Sequence, residues 1–183
     1  MIEVRFHGRG GQGAVMASRI LAGSFVKKGK YGASFPMFGF ERRGAPVSAF
    51  SRVDDKPVNE KTKIYQPDIV VVLDDTQKDS PETCEGLREN SVMVLNSPFP
   101  VFENIDSRLA VIGTVDARKI SMEEIGVPIP NTSIMGAFAK TTGIIEIDWI
   151  LKSLEDYFSD ERLEANIRCA RRGYEEVVVH RFK

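Results

Sequence analysis

Residues 69–73 read Ile69-Val70-Val71-Val72-Leu73, an unbroken apolar run with four β-branched side chains in five. A strand with one wet face alternates apolar and polar residues. A run of this kind suits a strand covered on both faces, as in a parallel sheet with helices packed on it. Val92 to Leu95 and Leu109 to Ile112 supply two more buried strands. Ile2, Val4 and Phe6 alternate with Glu3 and Arg5 as a half-buried one.

Helical patterns fall between these strands. Gly13 to Lys28 places Ala14, Ala17, Leu21 and Phe25 on one face, with Gly29 as a stop signal. Tyr31 to Phe35 reads as a short strand, and Pro36 to Pro46 is too rich in Gly and Pro for regular structure. Val47 to Val53 alternates again before the turn Asp54-Asp55-Lys56-Pro57, which predicts a hairpin projecting from the sheet. Ser80-Pro81 opens a helix with a cap and an N1 proline. Ser121 to Glu124 has capping-box spacing, with Asp116 as the alternative start of that helix. Pro128 to Thr132 breaks the chain before a helix from Ser133 to Thr142. Helices over 147–158 and 161–178 follow. The sum is an α/β domain with a mainly parallel sheet, a β-hairpin excursion and a helical C-terminal third. With no linker or repeat in 183 residues, it reads as one domain over 1–183.

The strand at residues 2–6 runs into Gly8-Arg9-Gly10-Gly11-Gln12-Gly13, which satisfies the G-x-G-x-x-G template in the strand–loop–helix setting that gives it meaning. Loop glycines let backbone N–H groups approach a phosphate, and a helix start favours negative charge. Nicotinamide dinucleotides also want an acid about 20 residues further on, at the end of the next strand. Lys30 to Pro36 contains none, which argues against NAD. A phosphate or carboxylate ligand stays open, as does a loop that merely makes a tight turn. Two further segments invite contact. Phe38 to Pro46 sets Glu41 beside Arg42, Arg43 and Gly44, where ion pairs can order the loop or leave a guanidinium for an anion. At Pro130-Asn131-Thr132 the simpler reading is that Asn131 or Thr132 caps a helix, and the alternative is a ligand at the sheet edge.

Charge is unevenly distributed. Residues 1–52 carry nine Lys or Arg against Glu3 and Glu41, a net of +7, while the rest carries 16 basic and 24 acidic side chains, a net of −8. A positive third containing the glycine loop suggests an anion or an acidic partner there. The overall charge of −1 speaks against nucleic acid, and no stretch approaches the ~20 apolar residues of a membrane span. Arg5, Arg9 and the glycines interrupt any secretory signal, and Cys84 and Cys169 stand far apart, so a cytoplasmic setting is expected. Two cysteines and two histidines are too few for a metal or cluster site on this chain. No Walker lysine, G-x-S-x-G or H-E-x-x-H is present, so no catalytic residue is assigned.

His7 to Gly13, Phe38 to Pro46, and Pro130-Asn131-Thr132 with Gly136-Ala137 together resemble the gamma subunits of 2-oxoacid:ferredoxin oxidoreductases. The resemblance extends through Pro67 to Leu73 and the closing Asn166, Ala170 and Gly173-Tyr174-Glu175, and is nearest to pyruvate synthase and 2-oxoisovalerate members of anaerobic type. It implies a Rossmann-like three-layer fold. It also implies a complex of EC 1.2.7 type that turns a 2-oxoacid, with pyruvate first in line, and CoA into acyl-CoA and CO2 while reducing ferredoxin. Thiamine diphosphate with Mg and the iron–sulfur clusters would belong to the alpha, beta and delta subunits, leaving this chain an assembly role and CoA handling. Carried over residue by residue, Gly8, Arg9, Gly10, Gly11, Gln12 and Gly13 with Glu41, Arg42, Arg43 and Gly44 become the contact or CoA-facing positions, with Asn131 and Thr132 behind them. The family often has two glycines after the arginine, where this chain has Arg43-Gly44-Ala45. The alternative is a stand-alone phosphate- or nucleotide-binding module.

Overall fold

The computed structural model describes residues 1–37, 44–100 and 105–182. Seven strands form one sheet in the order β2-β3-β1-β4-β5-β6-β7. They are β1 (Ile2–Arg9), β2 (Tyr31–Pro36), β3 (Pro46–Asp54), β4 (Ile69–Val72), β5 (Ser91–Asn96), β6 (Leu109–Val115) and β7 (Val178–Arg181). β1, β4, β5 and β6 pair in parallel, and the β-branched run of β4 lies between β1 and β5 with all four residues buried.

One face carries α1 (Ala14–Lys27), α3 (Ala117–Ile125), α4 (Asn131–Thr142), α5 (Ile147–Leu154) and α6 (Asp160–Glu176). Val4, Phe6, Val71 and Leu73 pack there against Ile20, Leu21, Ile134 and Phe138, all fully buried. Each such side chain contributes about 1.5–3 kcal/mol of burial. The opposite layer is thin: a 3-10 turn (Asp75–Gln77), the one-turn α2 (Pro81–Cys84) and connecting segments cover a smaller cluster around Val70, Val72, Leu95 and Ile112.

Three local expectations shift. The hairpin does not project: β2 pairs with β3 from Tyr31↔Asp54 to Pro36↔Ala49, and β3 continues into the sheet against β1. The Asp54 carboxylate does make a turn by accepting from the N–H groups of Asp55 and Lys56, but an irregular segment follows it. The helix before Gly126 starts at Asp116, whose carboxylate accepts from Lys119 N at 3.0 Å. Ser121 sits inside that helix, its hydroxyl donating to Ala117 O. The last helix stops at Glu176, because Val177-Val178-Val179 is a β-branched run that prefers the open edge of β6.

α4 and α6 cross closely at two glycines. A β-carbon on Gly136 would fall 1.8 Å from Ala170 O, and one on Gly173 would fall 1.8 Å from Ser133 O. That approach brings the start of α4 to the carboxyl edge of the sheet, beside the glycine loop.

Candidate functional site

The glycine loop spans the carboxyl end of β1 and the start of α1. Gly11 and Gly13 take positive φ, 99° and 81°, where a side chain would be strained. Gly13 is the residue before α1 and caps it with backbone alone. The loop is also held from within. Gln12 Oε1 accepts from Arg9 N at 2.7 Å, and Gln12 N donates to Arg9 O at 3.0 Å.

The crevice between β1 and β4 is where an open α/β sheet takes its ligand. Here the chain fills it with its own side chains. Gln12 Nε2 donates to Asp74 Oδ2 at 2.8 Å, and Arg9 Nε lies 3.3 Å from the same oxygen. Arg9 also donates to Thr76 Oγ1 at 3.1 Å and to Gly44 O at 3.3 Å. Burial pushes the Asp74 carboxyl up, but hydrogen bonds from Thr76 and Gln12 and the charge of Arg9 outweigh it and hold the group below the usual carboxylate range. The unit that would bind a dinucleotide is also split, since β3 lies between β1 and β2. No parallel neighbour of β1 therefore follows α1 directly to present a ribose-binding acid.

Gly44 joins the loop through the backbone: Gly44 N donates to Gly10 O at 3.1 Å, and Gly10 N donates to Ala45 O at 2.9 Å. Glu41, Arg42 and Arg43 lie outside the described residues. Asn131 lies against Gly13, where a β-carbon would come within 2.7 Å of its amide nitrogen. Neither Asn131 nor Thr132 caps α4. Pro130 holds the cap position, and Asn131 Oδ1 accepts from the adjacent Thr132 N at 2.8 Å. Thr132 is buried with its hydroxyl donating to Asn166 Oδ1 at 2.8 Å, so it faces α6 and the interior. Gly8 is a packing position, its open side closed by Gln12 Oε1 and Leu73.

Two grooves flank the loop. One, of about 720 Å³, is walled by Arg9, Gly10, Gly11, Asn131 and apolar side chains such as Met16 and Phe158. The other, of about 760 Å³, runs past Gln12, Asp74, Thr76, Asn96, Arg118 and Pro130. Gly11 is open among the described residues, none of which lies within 4 Å of a β-carbon placed on it.

Asp74 and Thr76 are given no role by the sequence reading. An acid at the carboxyl end of the most apolar strand was the available signal.

Among the described residues, much of the positive N-terminal third is paired. Arg9 pairs with Asp74, Lys27 with Asp156 at 2.8 Å, Lys28 with Glu146 at 2.7 Å, Lys30 with Asp55 at 2.7 Å and Arg52 with Glu3 at 2.8 Å. Arg5 is buried, donating to the carbonyls of Thr83 and Glu85. Four of these five pairs draw their acid from later in the chain. Among the described residues no helix is long and apolar enough to cross a membrane.

Residues 3–176 match the family model described as pyruvate ferredoxin/flavodoxin oxidoreductase. The chain is 48% identical over 183 residues to the common gamma subunit of the pyruvate/ketoisovalerate oxidoreductases of Thermococcus litoralis, covering 98% of this chain and 99% of that protein. It is 45% identical over 185 residues to the gamma subunit of an NADH-dependent phenylglyoxylate dehydrogenase from Aromatoleum evansii, covering 100% of this chain and 97% of that one. The crystal structure of the pyruvate oxidoreductase subunit PORC from Thermotoga maritima superposes with a TM-score of 0.85 at 41% identity, over 97% of each chain. A Rossmann-type crevice filled by its own side chains, in a chain with this likeness along its length, belongs to the pyruvate ferredoxin/flavodoxin oxidoreductase family as the gamma subunit of a 2-oxoacid ferredoxin oxidoreductase.

Proposed function

We propose that this chain serves its complex through the carboxyl edge of the sheet, as an assembly surface and a contact for CoA, and holds no redox or thiamine cofactor itself. In this reading thiamine diphosphate, Mg and the iron–sulfur clusters sit on the alpha, beta and delta chains, which pass electrons to ferredoxin in the cytoplasm. The whole chain acts as one gamma domain. The observation that carries the reading is the convergence of Gly10, Gly11, Gly44 and Asn131 on one edge. There the interior crevice is filled, and the open backbone of Gly11 faces outward between two grooves. Such an edge suits an extended ligand or a neighbouring chain better than a dinucleotide.

We take pyruvate as the substrate of the complex. Relatives named for pyruvate and ketoisovalerate and for phenylglyoxylate are similar to this chain to almost the same degree. Selectivity for the 2-oxoacid therefore belongs to the companion chains.

Co-purification with identification of the partner chains tests this directly. The isolated chain should oxidise no 2-oxoacid, and activity should return when the companion subunits are added. Replacing Arg9, or Arg42 with Arg43, should weaken subunit association or raise the KM for CoA. Binding of NAD or ATP by the isolated chain at micromolar concentration would instead favour a stand-alone nucleotide module.

A further inference from the structure

We propose that Asp74 is a positioning residue of this edge: it orients Arg9 and Gln12, and through them fixes the surface that the glycine loop presents. The proposal rests on the reading that the loop is the CoA or subunit contact. Asp74 itself is 13% exposed at its side chain, whereas Arg9 is 39% exposed. Asp74 lines the groove on one side of the loop and Arg9 lines the groove on the other, so the carboxylate works from behind the contacting residue.

Both carboxylate oxygens are engaged. Oδ1 accepts from Thr76 N at 3.1 Å and from the Thr76 hydroxyl at 2.5 Å, which fixes the carboxylate on its own turn. Oδ2 is left to face the loop, where it takes Gln12 Nε2 and the Arg9 guanidinium. Gln12 in turn accepts the N–H of Arg9, and Arg9 reaches Gly44 O. One carboxylate thus ties together the end of β4, the glycine loop and the start of β3. Arginine and glutamine are rich in rotamers, and immobilising such a long side chain at binding costs conformational entropy. A carboxylate that immobilises both beforehand removes that cost from the binding step.

A residue that merely stabilises the fold would act independently of Arg9. The test is a double-mutant cycle in the reconstituted complex, using Asp74→Asn, Arg9→Met and the double variant. The readouts are kcat, the KM for CoA and the affinity of the chain for its companion subunits. Asp74→Asn should shift KM or subunit affinity about 5- to 10-fold, a larger factor than any loss in kcat, and should add little once Arg9 is Met. Gln12→Glu provides a second route. It sets two carboxylates face to face and should cause a similar shift, and Asp74→Asn should relieve it by restoring the hydrogen bond in the reverse sense.

If the Asp74 and Arg9 effects multiply in full, or if Gln12→Glu is not relieved, the positioning role is overturned while the contact reading stands. If Arg9→Met moves neither KM nor affinity, the contact reading itself falls. Thermal unfolding of each variant shows whether the fold is retained, and a shift that only tracks lost folded protein also counts against the proposal.

Discussion

Gly13 and Asn131 touch where no side chain fits between them: a β-carbon on Gly13 would lie 2.7 Å from the Asn131 amide nitrogen and 2.9 Å from its Cβ. The glycine loop and the start of α4 are thereby locked together, although 118 residues of sequence separate them. Gly13→Ala should suffer this clash as well as the strain of a positive φ. Gly11→Ala, with no described residue within 4 Å of the added carbon, should suffer the strain alone, roughly 1–2 kcal/mol. In a chain of this size the latter is a loss of about 2–8 °C in Tm, and Gly13→Ala should lose clearly more. Equal losses in a thermal scan would remove the Gly13–Asn131 contact from the account.

The crossing of α4 and α6 has no room for a methyl group. Both Gly136 and Gly173 face backbone carbonyls of the other helix at 1.8 Å from a built β-carbon. Either glycine replaced by alanine should force the helices apart and cost about 3 kcal/mol, the upper end for overpacking. The midpoint of urea unfolding reads this out, and a midpoint within experimental error of the parent would refute it.

His7 is buried in the sheet, and among the described residues its Nε2 has no hydrogen-bond partner. Burial first, then the charges of Arg5 and Lys63, lower its pKa to about 3. An unfolded histidine titrates near 6.5, so between about 6.5 and 3 the unfolded chain binds a proton that the folded one does not. Stability should rise with pH across that window and fall on acidification, by about 1.4 kcal/mol per pH unit from this group. Urea midpoints measured from pH 7 to pH 4 should show a steeper acid loss in the parent than in His7→Gln. Parallel curves would mean that His7 is charged or accessible in the folded state.

Arg52 is the largest fully buried side chain. It donates to Glu3 Oε1 at 2.8 Å and to the carbonyls of Glu60 and Thr62 at 3.2 and 2.7 Å, and its guanidinium lies 5.3 Å from the Phe35 ring centroid. It is the clamp on the irregular segment between β3 and β4. Arg52→Met should remove these bonds, leaving Glu3 its pair with Arg88, and cost roughly 1–3 kcal/mol. Limited proteolysis should then cut first between residues 55 and 68; retention of the parent cleavage pattern would show that the segment is held by something else.

The parallel core was legible because burial on both faces leaves a compositional mark. The apolar runs within β4, β5 and β6, and the spacing of Ala14, Ala17, Leu21 and Phe25 on α1, needed no knowledge of neighbours. Helix starts at Ser80 and Asp116 were legible for a similar reason, since a cap is a local bond. The loop candidates were found by motif, and Gly8 to Gly13, Gly44 and Asn131 do lie together. Asp74 was missed because its role is defined by residues 62 and 65 positions earlier. β7 was missed because Val177 to Val179 directly follows a strong helical pattern, and only the free edge of β6 turns those residues into a strand.

Sequence alone determined the class of fold, the glycine loop and the missing ribose acid. It also displayed a positive third and a negative remainder, but not which charges meet. Lys27 finds Asp156 across 129 residues and Lys28 finds Glu146 across 118. Charges in water are screened beyond about 8–10 Å, so what a charge does is set by the partner the fold brings within that distance, and order along the chain does not encode it. Tertiary structure decided that Arg9 belongs to Asp74, that the dinucleotide crevice is filled from within, and that Thr132 faces the core while Asn131 faces the loop.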